Sequence, residues 1–232
     1  GTIDVYNPVY LRDPTTPLAV QNTLLEQQMK GVYAQLQSKY DRWLFLLGGR
    51  QDWVESDFRD KVNKASDTGS EDRKFTYQGG VMYQFDNGLT PYVSYSTAFV
   101  PVQQISNAGS PLKPITSRQY EVGVKYEPIG WDTAMTLSVY DLRKQDDTYL
   151  DATTNSYRQV GESRAKGAEV EINSNLTPNL NITAAYTYTD ARITKDSATS
   201  LVEGRQMTGV PRNQASVWSK YRFLDGQLKG LS

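Results

Sequence analysis

Apolar and polar residues take turns along most of this chain. Between Gly31 and Tyr40, Val32, Ala34 and Leu36 fall on one side of an extended backbone, with Gln35, Gln37 and Lys39 on the other. Tyr120, Val122, Val124 and Tyr126 likewise oppose Gln119, Glu121, Gly123 and Lys125. The same period sets Met135, Leu137 and Val139 against Ala134, Thr136 and Ser138, and Ala168, Val170 and Ile172 against Glu169, Glu171 and Asn173. It returns from Leu180 to Tyr188 and from Ala215 to Phe223. Adding Gln27 to Tyr40, Arg42 to Phe58, Lys74 to Phe85 and Pro91 to Phe99, the pattern predicts about nine strands, with a further short one around Tyr157 to Ser163. No segment carries a convincing helical period.

The links between these segments also alternate. Short ones rich in Gly, Pro, Asn and Asp fall at Lys39 to Arg42, Asp86 to Gly88, Glu127 to Gly130 and Thr177 to Asn179. Long polar ones fall at Ser56 to Arg73, Val100 to Ser117, Arg143 to Arg158 and Arg192 to Thr208. A membrane barrel sorts its connections in this way, with tight turns on one rim and long loops on the other. A soluble sandwich has no reason to. The predicted fold is therefore all-β, an antiparallel up-and-down transmembrane barrel.

Composition fits once the fold is a barrel. The hydrophobic fraction is 38% and the mean hydropathy -0.60, values that suit strands in which every second residue meets lipid. A spanning helix is excluded, because the apolar run Trp43 to Leu47 stops at Gly48-Gly49, far short of the roughly 20 residues required. Sixteen tyrosines need a surface, and the two edges of a bilayer supply one. Trp43, Tyr92, Tyr126 and Trp131 lie beside short turns and are expected at the lipid edge. A cation on the lipid face costs about 2 to 4 kcal/mol, so Lys125 and Lys220 are expected in the lumen with Glu121, Glu169 and Glu171. A net charge of -1 with neither His nor Cys disfavours a nucleic-acid surface, a disulfide scaffold and a Cys/His metal site. A barrel hydrolase would need a base, most often His, to activate its nucleophile, so no enzyme is expected. The chain opens at Gly1 and ends at Gly230-Leu231-Ser232, in what reads as a turn-to-strand transition, and is taken as a piece of a longer protein.

The run FTYQGGVMYQFDNGLTPYVSYSTAF from Phe75, then SRQYEVGVKYEP, RAKGAEVEINSNLTPNLNITAAYTYTDA and VPRNQASVWSKYRF resemble successive barrel strands of TonB-dependent siderophore receptors. YNPVY and LLGGRQDW resemble the segments before them, and the likeness is strongest to the ferric hydroxamate branch that takes ferrichrome and ferrioxamine. The resemblance implies a bacterial outer-membrane barrel of about 22 strands filled by an amino-terminal plug. Residues 1–232 would then be a partial barrel domain of nine or ten strands, without the plug, the first strands or the closing ones. It also implies partners: a ferric siderophore at the mouth, TonB acting through the plug, and outer-membrane lipid. Iron would travel wrapped in siderophore oxygens, so no protein-bound cofactor or metal is expected. A passive porin, or a receptor for another substrate, is the alternative.

Such a ligand is gripped by aromatic faces and a few hydrogen-bond donors near the loop-side strand ends. Gln51 and Trp53, which share a strand face before the long Ser56 to Arg73 link, are the first candidates. Tyr6 and Tyr10 in YNPVY follow, then Phe99, with Tyr149 and Tyr157 behind. Each of these also fits an ordinary girdle or loop position. Gly48-Gly49 and Gly79-Gly80 lie inside strands and are read as places where the wall curves or packs closely against the plug.

Overall fold

A computed structural model describes residues 23–61, 67–102, 112–151, 156–196 and 202–231. They form one sheet of nine antiparallel strands, each hydrogen-bonded to the next in chain order. The strands are β1 (Thr23–Tyr40), β2 (Trp43–Asp60), β3 (Thr68–Tyr83), β4 (Leu89–Val100), β5 (Ile115–Tyr126), β6 (Thr133–Asp151), β7 (Ser156–Thr177), β8 (Leu180–Lys195) and β9 (Asn213–Tyr221).

The short links are tight turns. Tyr40 pairs with Trp43 across Asp41-Arg42, and Asp41 takes the left-handed conformation (φ 53°) that two-residue hairpins demand. Gly88 has a φ of 87° and would press any Cβ into the Glu127 carbonyl, so this turn accepts only glycine. Hydrogen bonding to Tyr83 and the charge of Asp86 raise the Arg42 guanidinium above its ordinary pKa at this rim.

The long links are shorter than the sequence predicts. β2 and β3 run on to Asp60 and from Thr68, and β6 and β7 to Asp151 and from Ser156. Polar side chains hid these extensions: backbone ladders need no apolar face where both faces meet water. For the same reason Tyr157 to Ser163 is no separate strand but the upper part of β7, joined to Ala168–Ile172 past a register shift at Glu162/Ser163. The link after β8 also pairs back onto it: Ile193 N–H donates to Arg205 O (3.0 Å) and Met207 N–H to Ala191 O (2.9 Å).

Register assigns the faces. Phe45, Leu47, Val81, Val93, Val122, Val139, Val170 and Val217 share one side of the sheet with Trp43 and Tyr126. On the other lie Asp52, Ser56, Ser138, Ser163 and Thr189, all buried. Along the upper half of β2 the alternation is complete, even-numbered residues buried and odd ones exposed, as a curled sheet shields its concave side. Yet it is the apolar side that is bare: Leu47 is 61% exposed, Val122 55% and Val217 75%. Toward the turn rim the sheet carries its oils outside and its polar groups inside, inverted for water and correct for lipid, whereas toward the long links Val54, Phe58, Ala191 and Ile193 are buried on the concave side.

Tyr92 does not join the lipid edge: it pairs with Gly123 on the concave side, whereas Pro91, Val93 and Tyr95 carry the outer face of β4. Proximity to a turn set its height but not its side.

Candidate functional site

The concave wall holds the chemistry. Lys125, Lys220, Glu121, Glu169 and Glu171 all fall on it, as lipid exclusion requires. Toward its turn rim, Tyr92 Oη donates to Glu121 Oε1 (2.7 Å), and Gln119 Nε2 donates to Glu121 Oε2 (3.0 Å). Lys125 Nζ stands 5.8 Å from the Tyr92 ring centroid, so the ring bridges a cation and a carboxylate. Two strands on, the Tyr140 hydroxyl meets Thr189 Oγ1 at 2.9 Å. In both cases a glycine faces the ring: a Cβ on Gly123 would lie 2.6 Å from Tyr92, and one on Gly167 2.5 Å from Tyr140. The glycines let each ring lie against the wall and aim its hydroxyl sideways along it.

β1 and β2 contribute a second polar group. Arg50 Nε donates to both carboxylate oxygens of Asp52, at 2.8 and 2.9 Å, and Asp52 is 2% exposed. Such a carboxylate is tolerable in the wall only with its partner in place. At the turn rim a wider recess of about 550 Å³ is lined by Lys39, Arg42, Gln84, Asp86, Lys125 and Glu127. Among the described residues no group of three or more acidic, His or Cys side chains could hold a metal ion.

The sequence-predicted ligand residues are placed differently. Gln51 and Trp53 pair with Phe75 and Arg73 on the outer face, in line with Trp43 and Leu47. Phe99 pairs with Thr116 on that same face. Thus Gln51, Trp53 and Phe99 do not converge on the concave side, and Asp52, between the first two, is the residue that does. Tyr6 and Tyr10 lie outside the described residues, as do the side chains of Tyr149 and Tyr157. The signal that could have found Asp52 and Arg50 was parity: Trp43, Phe45 and Leu47 are odd-numbered, so the lumen side of β2 is even-numbered.

The outer face carries its own features. Phe75, Tyr77, Tyr95 and Tyr120 form a run of ring contacts with centroids 4.6 to 6.2 Å apart, at the level where apolar side chains give way to Arg118 and Arg143. Here the β3–β4 ladder, which runs from Met82↔Tyr92 to Gln78↔Ser96, stops. The Thr97 hydroxyl replaces the next backbone pair, accepting from Tyr77 N–H (2.8 Å) and donating to Tyr77 O (3.1 Å).

Comparison with known proteins completes the description. A family profile described as TonB dependent receptor-like, beta-barrel matches residues 1–232. The chain is 38% identical over 239 residues to the ferrichrome outer membrane transporter/phage receptor of Escherichia coli K12, covering 99% of this chain and 31% of that protein. It is 37% identical over 230 residues to the ferrioxamine B receptor of Salmonella typhimurium, covering 99% and 32%. Among solved structures, the siderophore receptor PiuA of Acinetobacter baumannii superimposes with a TM-score of 0.70 at 25% identity, over 85% of this chain and 31% of that one. The chain thus spans about a third of the length of the relatives it matches.

Proposed function

Because the chain belongs to the TonB-dependent receptor β-barrel family, we propose that the whole protein is an outer-membrane importer of a ferric hydroxamate siderophore, with these nine strands as a section of its wall. The observation that carries the reading is the inverted sheet, apolar outside and charged inside, coupled to a near-complete match with receptors named for ferrichrome and ferrioxamine B. The barrels of this family sit in the outer membrane of Gram-negative bacteria.

The wall's chemistry suits that task. The iron of a ferric hydroxamate is already wrapped in siderophore oxygens, so the receptor contributes shape, aromatic surface and hydrogen bonds rather than metal ligands. The energy for release comes from TonB through the segment that fills the lumen, and the wall's part is to stay rigid and wet. Charged groups whose oxygens are already engaged by partners on the wall, Glu121 by hydrogen bonds and Asp52 by the Arg50 guanidinium, do this without trapping a passing cargo.

A titration of the full-length protein in detergent tests the reading. Tryptophan fluorescence is followed while ferrichrome, ferrioxamine B or a ferric catecholate is added. Saturable quenching by a hydroxamate, and not by the catecholate, is the expected outcome. A response to none of the three removes the substrate assignment, and a response to the catecholate alone moves it to another siderophore class.

A further inference from the structure

Just above the aromatic run on the outer face, the wall divides. The β3–β4 ladder ends at Gln78↔Ser96, yet β3 continues up to Thr68 beside β2, and β4 continues to Val100 beside β5. Tyr77 N–H and C=O both aim at β4, where the Thr97 hydroxyl meets them. In an antiparallel strand every second residue aims the same way, so the backbone groups of Phe75, Arg73, Glu71 and Gly69 also point into the gap, while Thr76, Lys74, Asp72 and Ser70 bond to β2. Among the described residues none of the first four has a backbone partner on the β4 side. The backbone of Thr97 and Phe99 faces the gap from β4 in the same way. The result is a notch with a hydrogen-bonding edge on either side.

Proteins usually blunt such an edge with proline, a bulge or like charges. Residues 68–77 contain no proline, and the register of β3 on β2 is unbroken from Phe58↔Thr68 to Trp43↔Tyr83. The two charges on its outer side, Glu71 and Arg73, meet at 3.8 Å and offset each other. At the foot of the notch a recess of about 190 Å³ is lined on the outer face by the rings of Phe75, Tyr77 and Tyr95 and by Arg118, Arg143 and Glu162. Lys74 also borders it, so cations outnumber carboxylates there, and Arg118 forms no ion pair among the described residues. A strand entering from the extracellular side must stop where the notch closes at Tyr77 and Thr97, which suits a chain terminus better than a passing segment. The arginines favour the end that carries a carboxylate. A tail descending with that end first runs antiparallel to β4, the better of the two pairings.

We propose that the notch receives the extended carboxyl-terminal tail of a partner protein from outside the cell, its backbone completing the edges of β3 and β4 and its terminal carboxylate meeting Arg118. The site is independent of iron and siderophore.

The test uses the full-length protein in detergent and a fluorescent synthetic peptide of alternating Thr and Val that ends in Asp with a free carboxylate. Two controls are the same peptide N-methylated at every second amide and the same peptide amidated at its end. Saturable binding by anisotropy is expected for the parent peptide, weaker by about tenfold for the N-methylated one and weakened also for the amidated one. In hydrogen exchange the amides of Glu71, Arg73 and Phe75 should be fast and those of Asp72, Lys74 and Thr76 slow, and the parent peptide should slow the first set. Arg73→Pro removes a donor from the open edge and none from the β2 ladder, so a barrel shown to be folded by heat-modifiable mobility should bind about tenfold more weakly. Arg118→Gln should erase the preference for a free carboxylate. No saturable binding, equal binding of the N-methylated peptide, or unchanged binding by Arg73→Pro would each overturn the proposal. So would peptide binding indifferent to Arg118→Gln when that variant purifies with less lipid phosphate, which would give the arginine to a headgroup. Should Arg73→Pro fail to fold, the parent and N-methylated peptides on the wild-type barrel decide the matter.

Discussion

Tyr92 and Tyr140 each lie flat over a glycine of the next strand and spend their hydroxyl on a neighbour in the lumen wall. The arrangement trades strand propensity for side-chain placement, so the glycine should be hard to replace. Gly123→Ala would set a methyl 2.6 Å from the Tyr92 ring, and a loss of about 1 to 3 kcal/mol is expected in urea unfolding from lipid vesicles. Tyr92→Phe keeps the ring and removes one hydrogen bond to Glu121, which retains Gln119, so about 0.5 to 1.5 kcal/mol is expected in the same assay. At this scale the sequence was legible in type and illegible in direction. An aromatic beside a turn is a sound sign of a girdle, and Trp43 and Tyr126 meet it, yet Tyr92 is one residue out of phase with Val93. By the same parity Gln51 and Trp53 lie on the outer face, and Arg50 and Asp52 on the concave one. Trp53→Ala is accordingly expected to leave siderophore affinity unchanged within twofold, measured by titration of the full-length protein.

Strands β5 to β8 show how strictly an element is bound by its phase. Val139 and Thr136 lie on the same strand, three residues apart and on opposite faces. Val139→Arg should cost about 2 to 4 kcal/mol in vesicle folding equilibria, and Thr136→Arg clearly less, because only the first meets hydrocarbon. Equal losses would mean that the faces are assigned wrongly. The β3–β4 pair is bound more loosely, since Thr97 ends its ladder. Thr97→Val removes both hydrogen bonds to Tyr77, and exchange of the Tyr77 amide should quicken while amides of the β4–β5 ladder keep their rates. Element existence could be read in advance wherever apolar residues alternated. The outer ends of β3, β6 and β7 could not: with polar residues on both faces, a strand in water looks like a loop.

As a whole, the sheet is open. Among the described residues β1 and β9 each have a neighbour on one side only, and an unpaired backbone edge in hydrocarbon costs several kcal/mol per group. Residues 1–232 expressed alone should therefore give no heat-modifiable folded species in vesicles, whereas the full-length protein should; a folded monomeric fragment would contradict the open edges. The barrel class was legible because short and long links alternate, a property of the entire chain rather than of any residue. The strand lengths have a further consequence. β7 has 22 residues, where about 9 to 11 cross the hydrocarbon, so at the usual tilt the wall reaches up to roughly 30 Å above the hydrocarbon edge. The upper parts of β6 and β7 then stand as paired strands above the cell surface, and a short epitope inserted between Asp151 and Ser156 would be held out to antibodies on intact cells without disturbing the lipid belt beneath.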